Sequence, residues 1–307
     1  MGTYLNPGKA AYQIACNSEI FIDKSEMISY LNSVVNTSQR YVCVSRPRRF
    51  GKTMAADMLC AYYDREADSR SLFEKCKISK CAGEESNIKW DKYLGEFDVI
   101  RLVMTDFFKK GVSIDEALDK MQKLVVRDLA KAYSQVDFFD KDDLLQSFQD
   151  VYSEKKTQFV IIIDEWDAIF REYKEDKEGQ KKYLDFLRDW LKDKEYIALA
   201  YMTGILPIKK YGKHSALNMF DEYSMVLPLQ LAEYMGFTLE EVRELCEQWK
   251  LKFDSLKSWY DGYRLSNKVS PELVSEDAVI DTDFHRDYEI YSPYSVVKAV
   301  RNKQFDK

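Results

Sequence analysis

The sequence predicts an α/β protein with a three-layer α/β/α core around a parallel sheet and a small helical module after it. Three observations carry this. A short apolar strand runs through a Gly-Lys-Thr turn into a helix, a second strand (FVIIIDE) ends in two carboxylates, and apolar strands alternate with helical segments along most of the chain.

The first strand is Arg40 to Ser45 (RYVCVS), short and largely β-branched or apolar, as a strand buried on both faces is. Arg46-Pro47-Arg48-Arg49-Phe50-Gly51-Lys52-Thr53 follows, and Thr53 to Tyr63 (TMAADMLCAYY) has apolar residues at helical spacing. A strand turning sharply into a helix presents unpaired backbone N–H groups and the positive end of the helix dipole, both of which favour phosphate oxygens. Arg48, Arg49, Phe50, Gly51, Lys52 and Thr53 are therefore the candidate nucleotide-binding set. Lys52 is expected at the β- and γ-phosphates and the Thr53 hydroxyl on magnesium. Arg46 stands where the G-x-x-x-x-G-K-[ST] pattern has its first glycine; with Arg48 and Arg49 it forms the densest cationic cluster, expected to serve phosphate or a neighbouring carboxylate.

Phe97 to Met104 (FDVIRLVM) reads as the second strand. Ser113-Ile114-Asp115-Glu116 is a capping box opening a helix to about Tyr133, and another helix covers Asp142 to about Tyr152. The third strand, Phe159 to Glu165, places Asp164 and Glu165 at its carboxyl end, the edge where open α/β sheets bind ligands. Asp164 is the candidate magnesium ligand, because magnesium takes hard oxygen donors, and Glu165 the group that polarises the attacking water. The stretch Arg171 to Lys182 mixes both signs of charge and reads as a solvated loop and helix start.

Tyr183 to Leu191 is expected to be helical, Tyr196 to Thr203 (YIALAYMT) a fourth strand, and Met225 to Leu229 a fifth. The core thus spans residues 1–230, with an N-terminal extension at 1–39. From Leu231 a smaller module follows, 231–307, in which Thr238-Leu239-Glu240-Glu241 opens a helix with Val242, Leu245, Cys246 and Trp249 on its apolar face.

Taken in order, RPRRFGKT with IFIDK (20–24), IDEWD (163–167), MTGI (202–205), SALN (215–218), GFT (236–238), WYDGY (259–263) and YSPYS (291–295) resemble the AAA-ATPase-like proteins, which often carry a C-terminal PD-(D/E)XK nuclease-like domain. The resemblance implies a P-loop NTPase core, an ATP and magnesium site, and a lid after the core. It also implies that the strand ending near Thr203 lies between those bearing Lys52 and Asp164, and that placement gives Thr203 two readings, a contact to the γ-phosphate or attacking water, or a cap on the turn at Gly204. An arginine at position 46 is usual in that family; Ser292 and Trp166 depart from it, standing where asparagine and tyrosine are more common. Asn218 matches a polar family position or caps a turn. Arg264 is either a phosphate sensor or part of an aromatic segment packing the lid on the core.

ATP is favoured over GTP because no N-K-x-D segment occurs. Glu-x-Lys occurs only at Glu154, Glu172 and Glu175, in charged helical or loop segments, so no nuclease site is expected within these 307 residues; such activity would need a further domain. The net charge of −6 argues against a surface that binds nucleic acid throughout. Six cysteines without a C-x-x-C pair fit reduced thiols better than zinc, and with no signal-like or bilayer-length apolar run the composition is that of a cytoplasmic protein. Two functions fit: a magnesium-dependent ATPase that moves a lid or an attached effector, and a nucleotide-sensing module that binds ATP with negligible turnover.

Overall fold

The computed structural model describes residues 2–81, 89–208, 215–268 and 286–305. The N-terminal part holds α1 (Ala10–Cys16), α2 (Met27–Val34), β1 (Tyr41–Ser45), α3 (Lys52–Tyr63), α4 (Arg70–Phe73) and β2 (Asp98–Val103). The middle holds α5 (Ile114–Ala132), α6 (Leu144–Lys155), β3 (Phe159–Asp164), α7 (Ala168–Glu172), α8 (Lys177–Leu191), β4 (Ile197–Gly204) and β5 (Asp221–Tyr223). After it come β6 (Phe237–Thr238), α9 (Leu239–Gln248), α10 (Phe253–Tyr260), β7 (Tyr263–Ser266), β8 (Asp287–Tyr291) and α11 (Pro293–Asn302).

Strands β1 to β5 form one parallel sheet in the order β2-β3-β4-β1-β5. This is the expected fold class, and β4 lies between β1 and β3 as the resemblance implied. Every residue of β1, β3 and β4 is buried, which explains why their sequences are continuous apolar runs. Successive side chains serve opposite layers. Ile161 and Ile163 pack with α5, α6 and α8 through Val125, Phe148 and Leu187, whereas Val160 and Ile162 pack with α2 and α3 through Leu31 and Leu59.

Helix boundaries follow local chemistry. The Ser113 capping box is present, with Glu116 closing it, and α5 runs to Ala132. Helix α8 starts six residues before Tyr183, because Asp176 caps it by accepting from the Gly179 N–H at 2.8 Å. The fifth strand is Asp221–Tyr223, not Met225 to Leu229 as the apolar pattern suggested. It is a three-residue edge strand that among the described residues pairs only with β1, with an exposed first residue, and so has no apolar signature.

The C-terminal residues contain the expected helices and also an antiparallel sheet, β6-β8-β7, which the sequence reading did not include. Thr238 caps α9 in a complete capping box with Glu241. Lys24 Nζ reaches across from the N-terminal segment, donating to Glu241 Oε2 and to the Glu233 carbonyl, each at 2.6 Å. Among the described residues no helix is long and apolar enough to cross a membrane.

Candidate functional site

The parallel arrangement brings the carboxyl ends of β1, β3 and β4 to one edge, and the site assembles there. Between β1 and α3 the backbone takes left-handed φ at Arg49 (+70°) and Gly51 (+86°), so the chain turns within a few residues. A Cβ at Gly51 would meet nothing within 4 Å; the glycine is needed for its backbone angle rather than for space. Gly51 is the N-cap of α3, and no side chain caps it, which leaves the first-turn N–H groups to the loop interior.

Lys52 is buried, and its Nζ donates to the carbonyls of Arg46 at 2.9 Å and Pro47 at 2.8 Å. Burial lowers the affinity of this amine for its proton, opposed by the nearby carboxylates Asp164, Asp167 and Glu165. One residue on, Thr53 Oγ1 donates to Asp164 Oδ2 at 2.8 Å, joining the start of α3 to the end of β3.

Asp164 is almost fully buried and is held by three elements: Thr53 from α3, Thr203 from β4, whose Oγ1 donates to Oδ1, and Arg101 from β2, whose Nη2 lies 3.2 Å from Oδ2. Arg101 also pairs with Asp57 of α3 at 3.3 Å. Thr203 is fully buried, so its hydroxyl orients Asp164 and neither lines the cleft nor caps the Gly204 turn. The turn depends instead on Gly204 itself, where a Cβ would lie 2.6 Å from Trp166 Nε1 and 3.0 Å from Asp167 Oδ1.

Glu165 follows with a left-handed φ of +53° and does line the cleft. Its Oε2 accepts from Arg171 Nη2 at 2.5 Å. Arg171 is thus a partner of the candidate base rather than part of a solvated stretch; it stands on α7, which returns it to the strand end. Asp167, fully buried, accepts from the Ile205 and Leu206 N–H groups at 3.2 and 3.1 Å, and burial raises its carboxyl, opposed by Arg171 and these N–H groups.

A cleft of about 550 Å³ opens above these groups. Its polar end is formed by Arg48, Arg49, Gly51, Lys52, Thr53 and Glu165; its apolar end by Ile20, Phe21 and Ile22 from the N-terminal segment and Phe237, Pro293 and Val297 from the C-terminal part. Arg49 stacks on Tyr294 of α11, its guanidinium carbon 4.0 Å from the ring centroid.

The structure places several of the expected residues away from the cleft. Phe50 does not line the 550 Å³ cleft itself; it borders a smaller adjoining hollow with Gly51, Met54 and Phe237, and its side chain is buried with Leu265, Tyr288 and Ile290 and meets Tyr263 edge-on at 5.4 Å. Arg264 is exposed on β7 and borders a separate depression with Glu240, Arg286 and Glu289, because strand alternation turns it away from the face on which Tyr263 and Leu265 meet Phe50. Asn218 is exposed in a turn and does not line the cleft. Arg46 has no carboxylate partner among the described residues: it is fully buried, and its guanidinium donates to the carbonyls of Ser45, Tyr223 and Leu231. Arg101, Arg171 and Asp167 were not singled out from sequence, although a lone arginine inside an apolar strand (Arg101) was a signal for a buried acidic partner.

Comparison with known proteins bears on this geometry. A family model described as "Predicted AAA-ATPase" matches residues 11–213. No curated protein matches the chain. Among solved structures, PCH-2 of C. elegans is similar at 10% identity and a TM-score of 0.30, over 83% of this chain and 49% of that one, so the chain spans about half the length of that protein. The family match covers well over half of the 307 residues and includes the phosphate loop, Asp164, Glu165 and Thr203, so the chain belongs to the AAA-ATPase-like family.

Proposed function

We propose that the protein binds ATP with magnesium in the cleft, hydrolyses it, and moves its C-terminal module, residues 231–307, as a lid on the core of residues 1–230. The observation that carries this is the chain of contacts Thr53–Asp164–Thr203, which fixes a hydroxyl and a carboxylate side by side at the mouth of the phosphate loop, beside Lys52. Two hard oxygen donors 2.8 Å apart, backed by Arg101, suit magnesium, which prefers such ligands and keeps several waters. Thr53 and Asp164 would hold the ion, which when bound neutralises charge on the β- and γ-phosphates.

Lys52 exchanges its loop carbonyls for phosphate oxygens, and the uncapped start of α3 supplies N–H donors. Glu165 accepts a proton from the attacking water. The apolar end of the cleft covers the base between the Ile20–Ile22 segment and the C-terminal residues Phe237, Pro293 and Val297. A ligand gripped from both sides couples its presence to the distance between them, which supports the lid assignment.

The second reading, a nucleotide-sensing module with negligible turnover, is favoured by the engagement of Glu165 by Arg171. Measurement of magnesium-dependent phosphate release by the wild type and by Asp164→Asn decides between them. Release that requires Asp164 supports the ATPase. ATP binding without detectable release favours the sensor, and release unaffected by Asp164→Asn would overturn the site assignment.

A further inference from the structure

The buried cations around the loop are not equivalent. Arg101 has Asp164 and Asp57, and Arg171 has Glu165. Arg46 is fully buried, yet among the described residues it forms no ion pair and its Nε has no hydrogen-bond partner; its partners are the neutral carbonyls of Ser45 at 3.0 Å, Tyr223 at 2.9 Å and Leu231 at 3.4 Å. Burial lowers its pKa to about 10, which leaves it charged at neutral pH. A buried charge without a counter-ion is costly, and poor screening around it extends its reach. Its backbone begins the phosphate loop, where its own carbonyl holds Lys52 Nζ at 2.9 Å.

We propose that Arg46 is a positioning residue that serves the nucleotide site through its charge: a buried cation at the root of the loop whose counter-ion is the phosphate chain that the loop binds. It makes no direct contact with the ligand. The guanidinium is tied to the ends of β1 and β5 and to Leu231, so it stays fixed while Lys52, Arg48 and Arg49 adjust. This inference rests on the phosphate-loop reading above.

Pyrophosphate affinity, measured by calorimetry on the full chain, tests it without reference to turnover. One unit charge acting on another across about 10 Å at an effective dielectric of about 20 changes affinity by about ten- to twentyfold, a lower bound for pyrophosphate, which carries more than one negative charge. Arg46→Met is therefore expected to weaken pyrophosphate binding by at least that factor, while Arg46→Lys, which keeps the charge and loses the three-way hydrogen bonding, stays within about threefold of wild type. Arg46→Gln replaces the methionine variant if the latter does not fold. Equal weakening by the lysine and neutral variants would show a hydrogen-bonded clamp and overturn the charge role, as would unchanged affinity in both. A wild type that binds neither pyrophosphate nor ATP would instead defeat the nucleotide reading itself.

Discussion

Glu165 and Arg171 form a 2.5 Å ion pair at the rim of the cleft, although they stand six positions apart and a strand-to-helix turn intervenes. The pair gives the candidate base a fixed direction, because the Arg171 side chain is mostly buried and Glu165 sits at a left-handed backbone position. Replacing Arg171 by alanine frees the carboxylate. ATP affinity is expected to change by less than about threefold and kcat to fall by about tenfold, a loss that one misplaced general base accounts for. Steady-state kinetics separates the two parameters, and a large rise in KM at constant kcat would move Arg171 to a binding role.

Glu165→Gln keeps the shape of the side chain but removes its ability to take a proton. Turnover is expected to drop by about 10² to 10⁴ with ATP still bound. Equilibrium binding of a fluorescent ATP analogue, beside phosphate release, checks both halves; a variant as active as wild type would assign the water to another group.

Lys52→Ala removes the ammonium from the loop while leaving α3 packed through Ala56, Met58 and Leu59. Loss of a charge-assisted contact to phosphate lowers magnesium-ATP affinity by about a hundredfold. Calorimetric titration of the folded variant measures this, and retained affinity would detach the loop from nucleotide binding.

Gly204→Ala places a methyl 2.6 Å from Trp166 Nε1, and Trp166 is fully buried and cannot move outward. Overpacking of this kind costs about 1–3 kcal/mol. Thermal unfolding reads the cost. ATP affinity is expected to fall with it, since the displaced tryptophan is two residues from Asp164.

Lys24→Ala strips the ammonium from Glu241, and both side chains are largely buried. Breaking a buried pair on one side costs about 3–5 kcal/mol. A lowered urea midpoint would report it; an unchanged midpoint would show that the Thr238 N–H alone satisfies Glu241.

The sequence was most legible where burial is two-sided. β1, β3 and β4 are continuous apolar runs because no face of them meets water, and the acidic end of β3 stood out against that run. Edge strands lost that contrast: Asp221–Tyr223 is short and polar, while the apolar residues just after it form a loop and a 3-10 turn. β6 has only two residues, and β7 is exposed at three of its four, so neither produces a periodic signal. Charged side chains were harder still. Arg46 and Arg171 sit in cationic or mixed strings whose composition is that of a solvated surface, and only the return of α7 and the closeness of β5 turn them inward.

Phe50 carries a practical consequence. The phosphate loop directs its own aromatic residue into the C-terminal sheet, where it shares a small apolar cluster with Ala232, Leu265, Tyr288 and Ile290, and the backbone at Gly236 passes so close that a Cβ there would lie 3.2 Å from the Phe50 ring. A chain cut back to residues 11–213 would keep the strand, the loop and the acidic pair but leave that ring in water, next to the atoms expected to hold phosphate. A piece that ends before β7 and β8 is therefore expected to hold its loop less firmly than one that includes them, although the family match ends well before either strand.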